Sequence, residues 1–105
     1  MTNQVILAID TATPRGGIAL WRDGRLLTQS LLTMPREHSR QLFVEIDEAM
    51  TMTQTDRSQL TAVSVTIGPG SFTGLRIGLS AAKGLCSALE IPLVTVSTLE
   101  VMAAR

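Results

Sequence analysis

Apolar positions along this chain change their period several times, and each change marks an element. Val5-Ile6-Leu7-Ala8-Ile9 is an unbroken apolar run that ends at Asp10. A run of that length predicts a strand over 4–10, buried on both faces. Thr11 to Gly16 is polar and punctuated by Pro14 and Gly16, so it reads as a loop. Gly17-Ile18-Ala19-Leu20-Trp21-Arg22 predicts a second strand over 16–22. Asp23-Gly24 follows, the pair that a two-residue type I′ hairpin favours because both positions need φ > 0. Arg25 to Leu32 is the returning strand, and its mixed composition suits an outer position.

Pro35 ends that strand, and from Glu37 or His38 the period becomes helical. Leu42, Phe43, Ile46, Ala49 and Met50 share one face, while Arg40, Gln41, Glu45, Asp47 and Glu48 fill the remainder. The pattern predicts an amphipathic helix of about four turns. Leu60 to Ile67 alternates apolar residues with Thr and Ser and is rich in β-branched residues, which predicts a fourth strand. A small-residue helix opens near Ser71 or Thr73 and runs to about Leu89, and a short fifth strand over 93–96 follows Pro92. Ser97 and Glu100 stand at capping-box spacing ahead of Val101 and Met102, so a last helix begins there. The sequence stops without a Gly or Pro terminator, and the expectation is a domain whose natural continuation is missing.

The order β-β-β-α-β-α-β-α predicts an α/β fold with a mixed five-stranded sheet in spatial order 3-2-1-4-5 and helices on both faces. The first three strands are expected to be antiparallel, and the other two parallel to the first.

Composition narrows the function classes. With 105 residues, 45% of them hydrophobic, the chain can build one modest core. Nine basic residues balance nine acidic ones, so the sequence carries no electrostatic footprint for nucleic acid or an anionic membrane surface. No apolar run approaches the roughly 20 residues that span a bilayer, and no signal peptide is apparent at the N-terminus. Cys86 stands alone, which fits a reducing compartment and a small core residue.

The densest signal is Gly68-Pro69-Gly70-Ser71-Phe72-Thr73-Gly74-Leu75-Arg76-Ile77-Gly78. A strand, a Gly-rich turn and a helix start can bind an anion through free backbone N–H groups. No Lys precedes Ser71, so this is not a Walker loop, and the glycine spacing is not that of a dinucleotide fingerprint. The same glycines also suit a tight turn and close helix packing, and the two readings stand about even. Asp10, Thr11 and Thr13 close the first strand and can contribute to the same anion loop. An Asx-type turn at Asp10 is the simpler reading. His38 is the only histidine and has no ligand partner at metal-site spacing. Ser71 and Thr73 have no nearby His to activate them. Arg76 in the first turn can pair a phosphate or carboxylate of a partner, or a neighbouring acid; it does not favour the helix dipole, which leans toward a specific partner.

Gly74, Gly78 and Ala82 lie four apart on the second helix, beside Leu75 and Leu79. Each Gly lowers helix stability by about 1 kcal/mol, a cost that makes sense where another backbone comes close. That backbone is either the chain's own sheet or a partner's helix. With Leu42, Phe43 and Ile46 of the first helix, these residues form the expected partner interface.

Ile9-Asp10-Thr11-Ala12-Thr13, Pro35-Arg36-Glu37-His38-Ser39, the Gly segment and Val96-Ser97-Thr98-Leu99 occur in this order at the spacing of one family. The whole chain resembles the N-terminal half of the bacterial TsaB (YeaZ) family, in the glycoprotease-like or M22-like group. The resemblance implies one lobe of an actin/hexokinase/Hsp70-like, ribonuclease H-like fold, with residues 1–105 as the N-terminal lobe and the C-terminal lobe absent. It implies a cytoplasmic role in making threonylcarbamoyladenosine at position 37 of tRNA. The family member is the dimerisation partner and scaffold of a catalytic subunit, TsaD, in an assembly completed by the ATPase TsaE. It forms a homodimer when alone and meets tRNA only through the complex. The catalytic relative holds a metal through two histidines four apart on its first helix. Here His38 is followed four positions later by Leu42, so the pair is broken. Asp10 is followed by Thr11 and Ala12, not by the Asp-x-Gly pattern of nucleotide-binding relatives. Both departures imply a non-catalytic subunit with no cofactor and only a vestigial anion loop. The alternative is an enzyme in its own right, either a peptidase or a nucleotide-dependent transferase.

Overall fold

The computed structural model describes residues 3–11, 16–31, 39–68 and 72–97. Its elements are β1 (Val5–Asp10), β2 (Gly17–Arg22), β3 (Arg25–Leu31), α1 (Ser39–Met52), β4 (Ala62–Thr66), α2 (Phe72–Leu89) and β5 (Leu93–Val96), with one 3₁₀ turn at Arg57–Gln59. The strands form a single sheet in the order β3-β2-β1-β4-β5. β1 pairs antiparallel with β2, and β2 with β3, while β4 is parallel to both β1 and β5. The topology is the one the sequence predicts, with strand ends shifted by one or two residues.

The Asp23-Gly24 turn has the left-handed backbone expected of it, with φ of 50° at Asp23 and 82° at Gly24. Asp23 stabilises the turn further, because its Oδ1 accepts from the Gln4 backbone N–H at 2.8 Å. The β2–β3 register shifts at Leu20/Trp21. That irregularity bends an outer strand whose Leu26, Leu27 and Leu31 are exposed.

Alternation along the strands decides what lies inside. Val5, Leu7 and Ile9 of β1 share a face, where Leu7 stands in register with Leu20 of β2 and Val63 of β4, and Ile9 with Ile18 and Val65. All are at most 3% exposed. Leu42, Ile46, Ala49 and Met50 of α1 and Ala81, Ala82 and Cys86 of α2 join them in one core. Both described helices therefore cover the same face of the sheet. The other face carries Ile6, Ala8, Asp10, Gly17, Ala19 and Ser64. The further helix predicted after Ser97 lies outside the described residues, as does the start of the first helix at Glu37 and His38.

Candidate functional site

β1 and β4 are parallel neighbours, with Ile9 opposite Val65, so both strands end at the same edge of the sheet. Asp10 and Thr11 leave β1 there, and Gly68 leaves β4 there. Gly68 adopts a φ of 124°, a conformation that side-chain-bearing residues rarely reach. The Thr11 hydroxyl donates to the Gly74 carbonyl in the first turn of α2. A β-carbon at Gly78, one turn further along, would collide with the same hydroxyl and reach 3.5 Å from Ile9 Cγ2. The end of β1 is thus clamped onto the start of α2.

The expected anion loop is brought together in part. Asp10, Thr11 and Gly68 share this edge, while Thr13, Gly70, Ser71 and the Thr73 side chain lie outside the described residues. Asp10 points to the face opposite α1 and α2, where it lines a concavity of about 610 Å³ with Ala8, Gly17, Ala19, Ser64 and Thr66. Among the described residues no three His, Cys, Asp or Glu side chains cluster closely enough to hold a metal. His38 is outside them.

The expected interface residues divide sharply by burial. Leu42 and Ala82 are fully buried, Ile46 is 1% exposed, and Gly78 is buried against Thr11. These four pack inside the chain, so they present no surface to a partner. At Gly78 the close approach is made within the chain, by the side chains of Thr11 and Ile9. Phe43 is 42% exposed, and Gly74, Leu75 and Leu79 are half-buried.

Other residues on the helix surface escaped sequence reasoning. Val44 is exposed beside Phe43. Gly84 sits mid-helix, exposed, with nothing within 4 Å of where a β-carbon would stand. Ser80, Gly84 and Ala88 lie four apart on this outer face and are exposed. The spacing was readable, but it could not be told from the inner stripe without knowing which face the sheet takes. Glu45 accepts from Ser30 Oγ of β3 at 3.0 Å, which turns that flank of α1 toward the sheet edge. Phe43 lies on the opposite flank, toward α2, because a helix turns about 100° per residue.

Cys86 is buried in the core, and its Sγ donates to the Pro92 carbonyl at 3.5 Å. Burial pushes its thiol pKa up, with a smaller opposing effect from a backbone hydrogen bond at Val63. It is built as a packing residue and not as an activated nucleophile.

The family profile described as "TsaD: tRNA N6-adenosine threonylcarbamoyltransferase" matches residues 32–105. The chain belongs to this family. Within the family it is similar to the tRNA threonylcarbamoyladenosine biosynthesis protein TsaB of Escherichia coli strain K12, at 43% identity over 98 residues. That match covers 93% of this chain and 42% of the relative. A crystal structure of a Pseudomonas aeruginosa protein with similarity to the peptidase YeaZ superposes with a TM-score of 0.82 at 33% identity. It covers 90% of this chain and 43% of that one. The chain therefore spans less than half the length of the TsaB relatives it matches. The Thermus thermophilus RuvC structure solved with a Holliday junction substrate has a TM-score of 0.58 at 16% identity, covering 96% of this chain and 70% of that one. That likeness concerns the ribonuclease H-like fold alone. The resemblance to TsaB and the predicted sheet order both hold. No described helix is long and apolar enough to cross a membrane.

Proposed function

We propose that this chain is the N-terminal lobe of a non-catalytic scaffold subunit in threonylcarbamoyladenosine synthesis, supporting a TsaD-type transferase that modifies adenosine 37 of tRNA. The observation that carries this reading is Leu42. It stands four residues after His38, where the resemblance implies the second metal histidine of the catalytic relative, and it is fully buried in the core. A buried aliphatic side chain supplies no ligand atom.

The outer surface of α1 and α2 supplies the contact in this reading. Phe43 and Val44 leave apolar area in water, and the exposed small residues Ser80, Gly84 and Ala88 permit a partner helix to approach closely. An exposed mid-helix Gly costs about 1 kcal/mol, and among the described residues no close packing at Gly84 offsets it. The partner is the TsaD-type subunit, with the ATPase TsaE joining the assembly. A second copy takes the same surface when the chain is alone. Arg40 lies near the start of α1 and Asp47 and Glu48 lie further along it, so a two-fold antiparallel pairing sets opposite charges against each other. Contact with tRNA runs through the complex, and the compartment is the cytoplasm.

Copurification with the transferase and reconstituted tRNA modification test the proposal. Dependence of the modification on this chain supports it. Stoichiometric, tight zinc or ATP binding by this chain alone, seen by isothermal titration, would point to the enzyme reading.

A further inference from the structure

We draw no further inference here: the strongest candidate, the concavity on the sheet face opposite α1 and α2 between Asp10, Ala19, Ser64 and Thr66, carries nothing because nothing among the described residues shows what covers it.

Discussion

The hydroxyl oxygen of Thr11 occupies the space that a β-carbon at Gly78 would need. One residue directly follows the first strand and the other lies in the second turn of α2, 67 positions away by subtraction. The contact explains why a helix with a costly Gly at this point is retained: the strand end and the helix cannot otherwise come together. It also separates two glycines of the same helix, Gly78 and Gly84, which differ in what surrounds them.

Gly78→Ala should destabilise the fold by about 1–3 kcal/mol, the usual range for overpacking. Gly84→Ala should stabilise it by up to about 1 kcal/mol, because the new methyl meets open space and helix propensity improves. Urea unfolding followed by circular dichroism checks both. Equal effects at the two sites would contradict the assignment of inner and outer faces.

Thr11→Ala removes the hydroxyl that meets both Gly74 and Gly78. Alone it should cost about 1 kcal/mol through the lost hydrogen bond. Combined with Gly78→Ala it should cost less than the sum, because the steric conflict is relieved. Strict additivity in the double-mutant cycle would show that the two residues do not press on each other.

Cys86 should react slowly with thiol reagents in the native state and rapidly in denaturant. Its folded pKa is raised by burial. A raised pKa means the neutral thiol is favoured by folding. That contribution is therefore complete below the ordinary thiol pKa and is lost as pH rises through the folded value. Unfolding midpoints of the wild type and Cys86→Ala, compared at neutral and strongly alkaline pH, should show a steeper alkaline decline for the wild type.

Much of this fold was legible because local signals agreed. Asp23-Gly24 fixes the hairpin, the β-branched run at 62–66 fixes β4, and the period change near residue 39 fixes α1. The interface was only partly legible, since Leu42, Phe43 and Ile46 read alike on one apolar face. Only the placement of α1 over the sheet shows that Leu42 and Ile46 turn inward and Phe43 does not. The Gly74–Gly78–Ala82 spacing signals a close approach, but spacing cannot name the approaching atoms. At Gly78 they are the side chains of Thr11 and Ile9, and the Thr11 hydroxyl also reaches Gly74, 63 positions away.

The central claim is that the outer α1–α2 surface binds a TsaD-type transferase. Sedimentation velocity of the chain mixed with that transferase tests it most directly, using the wild type and Phe43→Asp. Phe43 is 42% exposed, so the substitution should leave the circular dichroism spectrum and thermal midpoint nearly unchanged. The account predicts a wild-type complex that Phe43→Asp weakens at least tenfold, about 1.4 kcal/mol. A folded Phe43→Asp variant that binds as tightly as the wild type, or a wild type that forms no complex, would contradict it.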